Sequence, residues 1–593
     1  MDPKITIVFI ADAVSKRTID MINKYLHGGI KLLKTQGVNY NQVNHVNANC
    51  SSAQGHAGIF TGTYAKYHGM VNDVWLDANG NLYTAEQDND LNTAGVYDPT
   101  KPNTIYTEPS FYYQAGVSPR NYRADTVADQ LILNSNQNHE TQVFSISQDP
   151  LTSTMMAGQM GKAIWLDGIS GLFTTSRYYY PNGIPDFVLE FNQENPVPPT
   201  VTWMPVYPQG SPPYDFPDAQ NYEYSVVLSP PFFPVEVYPP NQTLFNKTLN
   251  SIVPIFGAGL YNVTPVGIKK VFDLAKRTID LHFCNKSNQR LVLFLNIASF
   301  DVLGNFLGPQ TQEALDIVYH IDLQLQHLMC FLLKFISPKE ALFLLTADEG
   351  YYPSIPELLF RRGFGLARRL VATNNGLPSP PFPTDLITAY NQQLATIYGS
   401  ALIQQIIPPF VYLDLVNFNT LPSETQALVL ETIKVLLRAT PGIRDAWTFQ
   451  ELEEKALVQE DPTHYWKLYL FKNVPPLSAP NLTPPPPPLP FLPQPQERRS
   501  GEIVFQTFPY SVMMYALDVQ PIHGVDHTSS YNYDSQVPLY VYQKGRFDHK
   551  IINKPIITQQ IGPTLSFLLK VPYPSATAPN LKLLPGLGKK GRC

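Results

Sequence analysis

The chain has 593 residues, 44% of them hydrophobic and 15% charged, with a formal net charge of −6. That composition supplies a large core and excludes global disorder, and the acidic balance leaves no basic field for a nucleic-acid polymer. Cys50, Cys284, Cys330 and Cys593 stand far apart without CxxC spacing, which reads as reduced thiols and not as a disulfide framework.

The opening "MDPKITIVFIADAV" lacks the basic segment, apolar run and cleavage site of a secretory leader. No 18-residue apolar stretch follows anywhere. The expectation is a chain without a membrane span, cytoplasmic or exported by a non-classical route. "ITIVFIAD" reads as a strand ending on Asp12, followed by one helix over "SKRTIDMINKYLHGGIKLLKTQG". In "NCSSAQGHAGIFTGTYAKYHGMVNDVW" the hydroxyls of Ser51 and Ser52 precede Gly55-His56-Ala57, where a helix should begin. A helix N-terminus attracts anions and can depress the pKa of a nucleophile. Taken alone, this cluster reads better as a Ser-rich cap. His56 and His68 read as structural hydrogen-bonders.

Residues 180–242 concentrate proline and tyrosine and should be loop-like, because proline is excluded from helix interiors and central strands. "LVLFLNIASFD" is a second buried strand, ending on Asp301, followed by a helix over "TQEALDIVYHIDLQLQHLMCFLLKFI". "ALFLLTAD" is a third, running into Asp348 and Glu349. Further α/β-like material follows: "TDLITAYNQQLATIYG" and "SETQALVLETIKVLLRA" as helices, "PPFVYLDL" as a strand. The proline-rich stretch 475–496 is a semi-rigid loop or a ligand for a proline-motif partner. "PLYVYQKG" and "PIITQQIGPTLSFLLKV" close the chain as a strand and a helix.

Continuous apolar runs are typical of strands buried on both faces of a parallel sheet, and their alternation with helices predicts an α/β doubly wound fold. The expected layout is one α/β domain over 1–573, with an insertion at 168–262, a proline-rich loop at 474–498 and a tail at 574–593. Ligands of such folds bind beyond the carboxyl ends of the strands. Asp12, Asp301 and Asp348 at three such ends would converge, and converging carboxylates call for a cation.

In chain order, Asp12, "GHAGIFTGTYAKYHG", "SFDVLGNFLGP", "LTADEG" and "HTSSYNYDSQVPLYVY" resemble the alkaline phosphatase superfamily. The resemblance is to its type I phosphodiesterase/nucleotide pyrophosphatase group and its phosphate-irrepressible alkaline phosphatases. It implies two divalent metal ions, zinc in the family, beside a phosphorylated nucleophile. Carried over by position, the nucleophile falls on Ser52. One metal would take Asp12, Asp348, Glu349 and Ser52, the other Asp301, Asn305 and His527. Asn72 or Asp73 would contact the substrate, a small phosphoric ester or nucleotide.

The chain departs from that pattern at several positions. Glu349 and Asn305 replace histidines, His527-Thr528 replaces a His-Gly pair that recurs at His523-Gly524, and Asp73 falls where the family has asparagine. Asp149 and Leu151 replace the Lys and Arg that grip a phosphate monoester. An oxygen-rich ligand set suits Mg²⁺, Mn²⁺ or Ca²⁺ better than zinc. Loss of the Lys/Arg pair removes charge-assisted bonds to a dianionic phosphoryl group, which a diesterase does not need. Two readings follow: a metal-dependent phosphoric-ester hydrolase with a Ser nucleophile, or a catalytically degenerate relative acting as a binding or interaction protein. A sulfatase is disfavoured, since "CSSAQGH" lacks that family's Pro and Arg.

Overall fold

The computed structural model describes residues 2–77, 80–106, 116–135, 140–214, 259–283, 289–351, 383–454, 498–509, 529–547 and 549–587, with positions 226–227, 237–238, 245–246, 248–250, 466 and 468. Strands β1 (Ile5–Ala11), β2 (Val38–Tyr40), β3 (Glu140–Ser147), β4 (Lys162–Leu166), β5 (Phe173–Thr174), β6 (Gln289–Ile297) and β7 (Ala341–Thr346) belong to the principal sheet. A second sheet holds β8 (Ile403–Ile407), β9 (Phe410–Leu413), β10 (Ile443–Thr448) and β11 (Ile503–Thr507). The chain returns to the principal sheet with β12 (Leu539–Tyr542) and β13 (Lys550–Ile552).

The nine strands of the principal sheet run in the order β5-β4-β3-β6-β1-β7-β12-β2-β13. From β4 to β7 every neighbour is parallel; β5 and β12 pair antiparallel to theirs. The α/β fold class read from the three apolar runs therefore holds, and β6, β1 and β7 lie side by side. Each run is apolar on both faces because each face is covered. Ile5, Ile7 and Phe9 of β1 join a cluster with Leu315, Ile321 and Leu325 of one long helix, Gln312–Leu332. Val8 and Ile10 point the other way, onto Ile59 and Phe60 of α1 (Ser52–Thr61) and Leu565 and Leu568 of the closing helix Ile561–Leu569.

The helix expected after β1 is two helices, Lys16–Ile22 and Gly29–Gln36. The break is built around Asp322, whose carboxylate accepts backbone N–H bonds from His27, Gly28, Ile30 and Lys31. A Cβ on Gly28 would stand 2.2 Å from the Asp322 carbonyl oxygen, so only glycine permits the approach.

The α/β-like material expected after residue 383 does not extend the principal sheet. It forms the antiparallel order β8-β9-β11-β10, covered by helices Pro383–Tyr398 and Ser423–Ala439, with its own core of Leu394, Val411, Ile433 and Ile503. Arg499 ties it to the main body: its buried guanidinium donates to the carbonyls of Gly69 (2.6 Å) and Asn121 (2.8 Å) and lies over the Trp75 ring.

The expected tail is packed in its first part. Leu584 and Leu587 are buried, and the Leu584 N–H donates to Thr564 Oγ1 at 2.9 Å. Residues 588–593 and the proline-rich stretch 475–496 lie outside the described residues. Among the described residues, no helix is long and apolar enough to cross a membrane.

Candidate active site

The β1 and β7 strands run in register, Ile10 beside Thr346, and deliver Asp12 and the Asp348-Glu349 pair to one point. Ligand oxygens of these three carboxylates lie within 4.8 Å of one another, and all three side chains are buried. Asp12 Oδ1 has no hydrogen-bond partner among the described residues. Burial and the neighbouring Asp348 charge hold the Asp12 carboxyl well above the usual carboxylate range. Such a cluster demands either shared protons or a cation. The all-oxygen donor set fits a hard divalent cation. The turn is anchored by the Ala13 N–H, which donates to Asp348 Oδ1 at 3.2 Å from a left-handed residue, φ 56°.

Helix α1 brings Ser52 to this cluster. Ser51 occupies the N-cap position without a side-chain cap bond, and Ser52 opens the first turn. Ser52 Oγ donates to Glu349 Oε1 at 3.3 Å. The helix sits this close because of Gly55, where a Cβ would fall 2.2 Å from the Asp348 carbonyl oxygen. His56, one turn into the helix, fastens both sides. Its Nδ1 lies 2.8 Å from the Ser52 carbonyl and 3.5 Å from Asp348 Oδ2. Its Nε2 lies 3.2 Å from Asn296 Nδ2, which can only donate, so Nδ1 carries the proton.

Asn72 and Asp73, either of which is expected to meet a substrate, bond to different parts of the protein. Asn72 is turned away: Nδ2 donates to the Pro408 carbonyl (3.0 Å), and Oδ1 accepts from the Asp73 N–H (2.9 Å) and Asn49 Nδ2 (3.3 Å). Asp73 Oδ1 instead accepts the Ala53 N–H at 2.7 Å, capping α1 beside the Ser52 hydroxyl. A carboxylate thus occupies a backbone donor at the positive end of the helix.

Asp301 and Asn305 sit one turn apart on the helix Ser299–Leu307, which follows β6. Asn305 Nδ2 donates to Asp301 Oδ1 at 3.0 Å, and the Tyr351 hydroxyl donates to Asn305 Oδ1 at 2.8 Å. Asp301 is near enough to Asp12 to raise its pKa, yet stands outside the three-carboxylate group. His527 and its alternative His523 lie outside the described residues.

Asp149 caps the helix Pro150–Ala157, accepting from Thr152 N (2.8 Å) and Thr152 Oγ1 (2.6 Å), while Leu151 packs on an apolar cluster with Phe410 and Tyr412. Neither supplies positive charge. Glu86, buried with Asp73 and Asp149 among its charged neighbours, is pushed up to about 7 by desolvation. Sequence reasoning missed Glu86, Asn296 and Tyr351. Tyr351, inside "TADEGYY", and Asn296, inside "LVLFLNIASFD", lay within quoted stretches that could have drawn attention to them.

Residues 6–355 match the type I phosphodiesterase / nucleotide pyrophosphatase family. The chain is 25% identical, over 93% of its length and 89% of the relative's, to alkaline phosphatase PafA of Elizabethkingia meningoseptica. It is 23% identical, with the same shares covered, to a protein of Myroides odoratus named as a calcium-transporting ATPase. The crystal structure of wild-type PafA superposes with a TM-score of 0.75 at 21% identity, covering 98% of both chains.

Proposed function

The chain belongs to the type I phosphodiesterase / nucleotide pyrophosphatase family of the alkaline phosphatase superfamily, and on that premise we propose that it is a cation-dependent hydrolase of small phosphoric esters with Ser52 as nucleophile. One observation carries the reading: the Ser52 hydroxyl, at the N-terminus of α1, donates to Glu349 inside a buried group of three carboxylates. Asp12, Asp348 and Glu349 would hold the cation. When bound, a divalent cation lowers the pKa of a ligating hydroxyl and neutralises charge that develops on a phosphoryl group.

The chain's own residues account for the rest. Ser52 Oγ attacks phosphorus, the bond to the leaving alcohol breaks, and water then cleaves the phosphoryl-serine to regenerate the hydroxyl. The Ser52 proton faces Glu349 Oε1. His56 fixes the distance between the nucleophile's backbone and Asp348. Asp149 and Leu151 provide no cation for a dianionic phosphoryl group, which favours a singly charged diester, such as a nucleotide-type ester, over a monoester.

The test is to strip the protein with EDTA, reload it separately with Mg²⁺, Mn²⁺, Ca²⁺ and Zn²⁺, and follow p-nitrophenyl phosphate and bis-p-nitrophenyl phosphate. The reading expects turnover with a hard cation and preference for the diester. The bond from the Ala53 N–H to Asp73 favours the second reading, a degenerate binding protein, because it occupies a donor that a phosphoryl oxygen would use. Absence of turnover with every cation would establish that second reading.

A further inference from the structure

The two expected cation positions differ in how their ligands are already engaged. At Asp12, Asp348 and Glu349, carboxylate oxygens crowd together, and Asp12 Oδ1 is buried with no hydrogen-bond partner among the described residues. At Asp301 the opposite holds. A carboxylate oxygen only accepts, so the Asn305 group 3.0 Å from Asp301 Oδ1 must be the amide nitrogen, which has no lone pair to offer a metal. The amide oxygen is then turned to the Tyr351 hydroxyl at 2.8 Å.

Tyr351 is not free to yield. It is 2% exposed, its ring meets the Phe300 ring edge-on at 6.5 Å, and a Cβ on Gly304 would come within 2.6 Å of it. Each end of the Asn305 amide is therefore engaged inside the protein, the nitrogen toward Asp301 and the oxygen toward Tyr351. The family's histidine would offer a ring nitrogen lone pair at this position; this chain offers an N–H donor that answers the Asp301 charge by itself.

We infer that the described residues hold one divalent cation, at Asp12, Asp348 and Glu349, and that the Asn305–Tyr351 pair replaces the second. The inference rests on the proposed cation-dependent reading but concerns stoichiometry, so each can fail separately. The full-length protein is stripped with EDTA, equilibrated with excess Mn²⁺, freed of loose metal on a chelating resin and assayed for bound manganese. Electron paramagnetic resonance then reports whether the bound ions couple.

The expected result is one equivalent of Mn²⁺ per chain with an uncoupled spectrum. Asp301→Asn should keep that equivalent, and Asp348→Asn should lose it. Asn305→His should gain a second, coupled ion; its circular dichroism and melting curve show whether it is folded. Two equivalents in the wild-type protein, or loss of the single ion in a folded Asp301→Asn, overturn the inference and leave the cation-dependent reading standing. No bound manganese overturns both.

Discussion

The Ser52 hydroxyl donates to Glu349 at 3.3 Å, and the resemblance in the sequence implies a histidine at this position in the family. On the proposed reading, this one position sets both the charge beside the proposed nucleophile and the chemistry of a proposed ligand. Glu349→His restores a borderline-soft nitrogen. It should raise the Zn²⁺-supported rate relative to the Mn²⁺-supported rate on the order of tenfold, the worth of ~1.4 kcal/mol in ligand matching. Parallel titrations of the two variants with each metal check this. An unchanged ratio would mean that Glu349 is not a ligand.

Asp73→Asn should relieve the like charge beside Ser52 while keeping the helix cap, since Asn and Asp cap comparably. Inhibition by inorganic phosphate should then tighten about tenfold, with stability changed by less than about 0.5 kcal/mol. Measured inhibition constants and melting curves separate the two effects. An unchanged phosphate affinity would show that the Ala53 N–H does not face the bound anion.

Asp12 carries the sign of the metal-free state. Its carboxyl is raised by burial and by Asp348, so in EDTA it contributes stability at low pH that is lost as pH rises through its folded pKa. Asp12→Asn should flatten that loss. Mn²⁺ at about a hundred times its dissociation constant should stabilise the wild type by about 2.7 kcal/mol and leave Asp12→Asn unmoved. Melting temperatures with EDTA and with Mn²⁺ read both.

His68 predicts the opposite limb. Burial, reinforced by the Arg499 charge, lowers its pKa to about 3, and its Nδ1 accepts the Met70 N–H at 3.1 Å. A folded pKa below the unfolded value of about 6.5 means that stability is complete above that value and lost as pH falls toward 3. His68→Asn, which keeps an acceptor, should reduce the slope in that window by up to ~1.4 kcal/mol per pH unit. Urea unfolding at stepped pH measures it; a slope equal to wild type would show that His68 titrates normally.

The sequence displayed the sheet because β1, β6 and β7 are apolar on both faces; β1 and β7 run into carboxylates, whereas Asp301, read as the end of β6, lies in the helix that follows it. Asp12, Asp348 and Glu349 were legible for that reason, and Ser52 through the motif around Gly55. The antiparallel second sheet was not, since β8–β11 alternate with helices much as a continued parallel sheet would. Spacing put Asp73 at the family's asparagine position but left Asn72 beside it as an alternative, and could not show that Asp73 bonds the N-terminus of α1. That depends on the Pro408 carbonyl, 336 residues from Asn72, holding the Asn72 amide aside. Tyr351 and Asn305 likewise meet only after β7 and the helix after β6 have been placed.

The most direct measurement of the central claim is the covalent intermediate. Manganese-loaded protein is mixed with bis-p-nitrophenyl phosphate, quenched in acid during turnover, digested and read by mass spectrometry. The account predicts a p-nitrophenyl phosphoryl adduct on Ser52, and no adduct or turnover in Ser52→Ala. Sustained turnover by Ser52→Ala, with its metal still bound, would contradict it.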